Sequence, residues 1–364
     1  MNEPHGGNVY KAAARFGLDR EALLDFSANI NPLGTPEILQ GLLREKVAEL
    51  NQYPDPDSMN LRTSIARYLS VPAEKIIIGN GASEIISLLF GTLKPRKVLL
   101  VTPTFSEYEQ AAIRAGAMIE YFFLQSAADF QADLDLLAKK VRTVDCLMIC
   151  NPNNPTSTLL TVEQLRFLAE AATQSGISMI VDEAFIELTP GGNNNSLVAY
   201  LAEYPTLFLI RAFTKIFAVP GLRVGYGLGD PALTRRMKGN QPPWSVNLLA
   251  DCIADFLPQA GAYLEQTQDW LNVELKWIAE SFRQIPFLKV FEPRANFILA
   301  EIVSDLKASD LQERLVKQGI LIRNAGNFQG LNEKYFRVAV RDRESNLVLI
   351  NRLRKILSNH GLND

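Results

Sequence analysis

Lys215 stands in the run Phe213-Thr214-Lys215-Ile216-Phe217-Ala218-Val219-Pro220-Gly221-Leu222-Arg223, just after an apolar stretch and before a Pro-Gly turn. A lysine drawn out of water beside another cation sheds its proton more readily, and the neutral amine can form a Schiff base with a carbonyl compound. Arg223 can serve as that cation, and its planar fork also suits a phosphate. Taken alone, such a lysine is more often a solvated loop residue. Asp182 follows the apolar run Met179-Ile180-Val181, at the kind of strand end where open α/β sheets place their ligands. A carboxylate there can keep a pyridine nitrogen protonated, so that the ring draws electrons. Its ordinary reading is a cap on the next turn.

Two polar turns add to these. Gly79-Asn80-Gly81-Ala82-Ser83-Glu84 follows Ile76–Ile78 and opens a helical pattern. Glycines allow close backbone approach, and the free N–H groups of a helix start favour phosphate. The spacing is neither that of a dinucleotide fingerprint nor that of a P-loop. Asn151-Pro152-Asn153-Asn154-Pro155-Thr156 follows Cys146–Cys150 and holds Asn154 where its amide can be aimed at a ring hydroxyl. Gly-rich and Pro/Asn-rich turns are common singly. Four such signals on successive strand ends of one sheet point together to one site.

The elements that must position these residues are legible in outline. The runs Ile76–Ile78, Val98–Val101, Met118–Phe123, Cys146–Cys150, Ile177–Val181 and Leu207–Ile210 are continuously apolar, as in a mostly parallel sheet covered by helices on both faces. Helical patterns lie between them at Ser83–Leu93 and Thr161–Thr173. Thr35-Pro36-Glu37 reads as a helix start with a capping hydroxyl, and Tyr53-Pro54-Asp55-Pro56 as the break that ends it. After Tyr263 the pattern becomes α+β: a long amphipathic stretch Leu264–Phe282, strands at Phe297–Ile302, Ile320–Ile322 and Tyr335–Val340, and helices near Ser309–Lys317 and Glu344–Leu357. The predicted fold class is α/β. Residues 1–35 are expected to form an arm packing with the small domain, 36–262 a large domain, and 263–364 a small C-terminal α+β domain. A chain of 364 residues exceeds what one core usually fills, which favours two lobes.

Composition excludes several classes. The formal net charge of -3 has no basic field for nucleic acid. No apolar run is long enough to span a bilayer, and the start Met1-Asn2-Glu3-Pro4-His5 has no signal-peptide pattern. Cys146, Cys150 and Cys252 are too few for a disulfide framework and suit a reducing, cytoplasmic compartment. Cys146 and Cys150 flank a buried strand, and the histidines are His5 and His360, so neither a metal site nor a serine triad is expected.

These motifs resemble those of fold-type I pyridoxal-phosphate enzymes, over essentially the whole chain. The resemblance implies pyridoxal 5'-phosphate held at Lys215, with Arg223 and Thr214 at the cofactor, Asp182 at the pyridine nitrogen and Asn154 at the ring hydroxyl. It further implies Gly81-Ala82-Ser83 as the phosphate loop, Phe105 stacked on the ring, and Tyr53 reaching the phosphate of a neighbouring subunit, hence a homodimer. Arg337 matches the arginine that forks a substrate α-carboxylate. Two branches compete: histidinol-phosphate aminotransferases and threonine-phosphate decarboxylases of cobalamin biosynthesis. The opening His5-Gly6-Gly7-Asn8-Val9-Tyr10, with Asp25-Phe26-Ser27-Ala28-Asn29-Ile30-Asn31-Pro32, resembles the decarboxylases. By that resemblance His5, Gly6, Asn29, Asn154, Arg323 and Arg337 contact a small phosphorylated amino acid. Phe185, Ala212 and Ser157 depart from the aminotransferase pattern, which usually has tyrosine, a hydroxyl residue and glycine there; Ala212 leaves the phosphate cup less complete. Transamination and a non-enzymatic sensor built on the same fold remain as alternatives, the latter disfavoured by intact Lys215, Asp182 and Arg223.

Overall fold

The computed structural model describes residues 6–360. Its large sheet has seven strands, in the order Ile76–Gly79, Gly225–Leu228, Leu207–Ala212, Ser178–Asp182, Cys146–Cys150, Lys97–Thr102 and Met118–Phe123. The last five of these pair in parallel, whereas Gly225–Leu228 runs antiparallel to both its neighbours. The fold is therefore α/β, as the apolar runs predict.

Side chains along the inner strands alternate between two buried faces, which is why their runs are nearly free of polar positions, whereas the edge strand Met118–Phe123 is partly exposed. Leu99, Leu147, Met179 and Leu209 enter one core, while Leu100, Met148, Ile180 and Ile210 enter another on the opposite face. The helices Met59–Leu69, Leu134–Val141 and Val162–Gln174 contribute to the first core, and Ala82–Leu93 and Ser106–Arg114 to the second. Because the parallel strands share one direction, Thr102, Cys150, Asp182 and Ala212 all finish at one edge of the sheet. The reversed strand begins at that edge: Gly225 is registered with both Ala212 and Gly79. Arg223, just before it, is thereby brought to the same edge as Lys215 and the Gly79–Gly81 turn. The sequence reading does not include this strand, whose Gly-Tyr-Gly-Leu composition carries little strand signal.

A second, four-stranded antiparallel sheet has the order Arg323–Asn324, Tyr335–Ala339, Phe297–Ile302 and Leu288–Val290. One face packs Ile298, Phe336 and Val338 against the helices Gly261–Arg283, Ala308–Val316 and Arg343–His360. From its other face Phe297, Leu299 and Tyr335 join the core of the large sheet. The N-terminal segment is stitched to this region: Leu24–Asp25 pairs in parallel with Ile320–Leu321, and Phe26 accepts a hydrogen bond from the Ala339 N–H at 2.7 Å.

One local expectation is corrected. The helix predicted from Thr35 spans Glu37–Lys46, and its start has no side-chain cap. The Thr35 hydroxyl instead donates to the Ala218 carbonyl at 2.9 Å, tying the helix to the segment after Lys215. The helix also ends before the Tyr53–Pro56 break, passing at Val47–Glu49 into a tight 3-10 turn.

Candidate active site

A cleft of about 470 Å³ opens at the sheet edge where the parallel strands end. Gly6, Asn29, Ser83, Phe105, Asn154, Lys215, Arg323 and Arg337 line it, so eight of the predicted residues share one cavity. Ser27, Ala28, Glu107, Tyr108, Phe185 and Phe328 complete the wall.

Lys215 lies in the single helical turn Phe213–Ile216, directly after the strand Leu207–Ala212. Its carbonyl accepts the Asn31 N–H at 3.1 Å, while the Asn31 side chain donates to Ile216 O and Thr267 Oγ1, both at 2.9 Å. The N-terminal segment thus braces the lysine turn against the helix Gly261–Arg283. Burial, reinforced by the Arg337 and Arg223 charges, pushes the Lys215 amine down to about 8, against the opposing pull of Asp182. Its Nζ stands 5.9 Å from the centre of the Phe185 ring. Asp182 is buried, and burial pushes its carboxyl up to about 6 although two hydrogen bonds pull it down. Tyr108 Oη donates to Oδ2 at 2.7 Å and the Ala184 N–H to Oδ1 at 2.9 Å.

The Gly79–Gly81 turn and Arg223 meet beside Ser83. Gly81 has φ +80°, which favours glycine, and a Cβ there would lie 2.4 Å from Arg223 Nη2, so the turn and the guanidinium are close neighbours. A Cβ at Gly225 would lie 2.5 Å from the Ala82 backbone nitrogen. The helix Ala82–Leu93 starts there without a side-chain cap. Its free N–H groups and the guanidinium form a cradle suited to phosphate. Thr214 is buried in the lysine turn. The hydroxyl missing at Ala212 is not replaced there: that residue is buried at the strand end against Gly225.

Across the cleft, Arg323 and Arg337 are register partners on adjacent strands, and both are buried. Arg337 donates to Asn154 Oδ1 and, at 2.6 Å, to Ser27 O, both neutral acceptors; its Nε has no partner among the described residues. Burial and the neighbouring Arg323 push its guanidinium down to about 9. Arg323 Nη2 donates to Asn327 Oδ1 at 2.7 Å. Among the described residues, both polar atoms of the buried Asn29 amide lack partners as well. Buried polar groups are normally paired, so unpartnered ones lining a cleft mark where a polar ligand fits. Gly6 is needed here: a Cβ would sit 2.1 Å from Ser27 O.

Two sequence-predicted residues stand elsewhere. His5 lies outside the described residues. Tyr53 is 82% exposed, packs tilted against Trp244 with ring centroids 4.9 Å apart, and does not line the cleft. The sequence reading assigned no role to Tyr108, Asn31 or Arg211. Arg211 is wholly buried and binds Glu183 and Glu187 at 3.0 and 2.9 Å, bracing the strand that bears Asp182. A charged residue inside the apolar run Leu207–Ala212 was the available signal. Ser157, in place of the usual glycine, keeps the left-handed backbone at φ +63°. Its Oγ accepts the N–H groups of Arg294 and Ala295 at 3.0 and 2.9 Å, so the hydroxyl joins the two sheets.

Residues 21–353 match the family described as aminotransferase class I and II. The chain is 38% identical to the threonine-phosphate decarboxylase of Salmonella typhimurium over 359 residues, 98% of each chain. It is 33% identical to the adenosylcobalamin biosynthesis bifunctional protein CobDQ of Leptospira interrogans, covering 96% of this chain and 41% of that one. Among solved structures, the histidinol-phosphate aminotransferase from Clostridium acetobutylicum superimposes with a TM-score of 0.87 at 35% identity, covering 93% of this chain and all of that one. The resemblance drawn from Lys215, Asp182, Asn154 and Arg223 is thus matched by full-length similarity, and the chain belongs to the class I and II aminotransferase family.

Proposed function

We propose that this protein binds pyridoxal 5'-phosphate at Lys215 and converts O-phospho-L-threonine into (R)-1-aminopropan-2-yl phosphate and CO2, a step in cobalamin biosynthesis. The carrying observation is the pair Arg323 and Arg337, two guanidiniums buried side by side in one cleft. Anions entering the cleft are attracted by both charges. A substrate with a carboxylate and a phosphate brings two. The residues present fit the cofactor: an amine largely neutral above pH 8, an acid beside it, and the Arg223 guanidinium against the Gly81 turn at an uncapped helix start.

When bound, the cofactor supplies an electron sink that weakens the bonds at the substrate Cα. Arg337 grips the α-carboxylate and Arg323 the phosphate, with the Asn29 amide and Gly6 beside them and His5 assigned to the same end. Asn154, already bonded to Arg337, links the carboxylate grip to the ring hydroxyl. Phe105, Phe185 and Phe328 exclude water. Lys215 Nζ holds the proton that replaces the carboxylate at Cα, which leaves the amine on the product.

The decarboxylase reading is supported by the 38% identity over 98% of both chains and by the placement of Gly6, Ser27 and Asn29 in the cleft. The similarity to histidinol-phosphate aminotransferase favours transamination as the second reading. Incubation with O-phosphothreonine, with and without 2-oxoglutarate, separates them. Release of CO2 and aminopropanol phosphate without keto acid is expected; glutamate formed only with 2-oxoglutarate would establish the aminotransferase instead.

On the same reading the protein is a cytosolic homodimer, with residues 36–262 as the cofactor lobe, 263–364 as the small lobe and 1–35 as an arm. Tyr53 would reach the partner subunit's phosphate cradle, and the segment around it also exposes Ile38, Val47 and Leu50. Sedimentation of active protein is expected to give a dimer; a fully active monomer would remove the role of Tyr53. Among the described residues no helix is long and apolar enough to cross a membrane.

A further inference from the structure

Tyr108 is 1% exposed, in the helix Ser106–Arg114, and its hydroxyl is one of two groups that hold Asp182. The two carboxylate oxygens are tied from different elements: Oδ2 by Tyr108 at 2.7 Å, and Oδ1 by the Ala184 N–H at 2.9 Å. The carboxylate plane is thereby fixed. The Tyr108 ring is itself set by Phe105, packed edge-on at 5.6 Å, and Phe105 lines the cleft. Other titratable groups facing Asp182 are Glu183, Lys215 and its strand neighbour Cys150. Burial pushes the Cys150 thiol up to about 12, and its Sγ donates to Pro152 O at 3.3 Å, so it brings no charge near neutrality. Burial also holds the Tyr108 phenol well above its ordinary range, so it remains a donor at any working pH.

We propose that Tyr108 is the positioning residue of the cofactor acid: its hydroxyl keeps the Asp182 carboxylate ionised and oriented for a protonated ring nitrogen. The inference rests on the cofactor reading above. Removing the hydroxyl would leave a buried anionic oxygen without its donor, and a hydrogen bond to a charged group is a strong one. The carboxyl would then take up a proton at a higher pH and no longer balance a pyridinium charge.

The test uses the full apo-chain and pyridoxamine 5'-phosphate, which has no aldehyde to react with Lys215. Wild-type affinity is expected to fall as the pH drops through the Asp182 titration. In Tyr108→Phe the acid limb should move up by about one pH unit, which raises the dissociation constant about twofold at pH 7 and about tenfold below the wild-type limb, one unit being a tenfold change in the proton equilibrium. The phosphate's own titration is common to both proteins. In the Asp182→Asn background, Tyr108→Phe should change the dissociation constant below the wild-type limb by less than about twofold, since coupled groups lose their separate effects once one is removed. An unmoved acid limb, or an equal loss of affinity in the Asp182→Asn background, would assign Tyr108 a packing role and overturn the inference while leaving the cofactor reading intact. A wild-type protein that binds neither this probe nor pyridoxal 5'-phosphate would overturn both.

Discussion

Lys215→Ala is expected to abolish the borohydride-stable cofactor adduct and to lower turnover by at least about a thousandfold, the scale of a lost general acid–base group combined with a lost anchor. Mass spectrometry after reduction reads the first effect and product formation the second. A variant that retained the adduct would move the reactive amine to another lysine. The same adduct reports the state of the amine. Only the neutral form attacks an aldehyde, and burial with Arg337 and Arg223 lowers the Lys215 amine from 10.5 to about 8. The rate of cofactor capture by apo-protein should therefore rise about tenfold per pH unit below 8 and level off above it. An ordinary lysine would keep gaining rate up to its usual titration near pH 10, and such a profile would contradict the buried setting.

Arg337→Ala should lower kcat/KM for O-phosphothreonine by about 30-fold to several thousandfold, the range for truncating one partner of a buried, hydrogen-bonded charge pair. Arg337→Lys should fall between the variant and wild type, because an ammonium keeps the charge but not the two-pronged fork. Stability should respond differently. Arg337 is buried next to Arg323 and is bonded to Asn154 and Ser27 O, and among the described residues no acid is in direct contact with it. Its removal relieves like-charge repulsion while losing two hydrogen bonds, so the apo-protein's Tm should change little. Steady-state kinetics and thermal melts on the same preparations separate the two effects. Unchanged kcat/KM would exclude Arg337 from the carboxylate grip, and a collapse of Tm would make its role structural.

The two predictions differ in how much sequence alone supports them. Lys215 and Asp182 follow continuous apolar runs, and such runs become central strands with little regard to their partners, so both residues were bound to reach a sheet edge. The predicted central strand Cys146–Cys150 matches its observed bounds for the same reason, and Met118–Phe123 also matches, as the edge strand of the sheet. Gly81 was readable as a turn position because glycine adopts the left-handed backbone that other residues avoid, and its φ is +80°. The partner of Thr35 was not readable: a capping hydroxyl and one that bonds Ala218 O look alike until distant segments meet.

The sequence by itself determined the α/β class and the order of the chemical turns, because these depend on local polarity and periodicity; the expectation of an imine at Lys215 came from the family resemblance. Only the tertiary structure decided that Gly225–Leu228 runs backwards and so brings Arg223 to the lysine's edge. It also decided that Tyr108 holds Asp182, and that Arg323 and Arg337 are buried together. Each of these is a contact across many residues, and the shifts in proton affinity that give the site its chemistry arise from desolvation that exists only once those segments have packed.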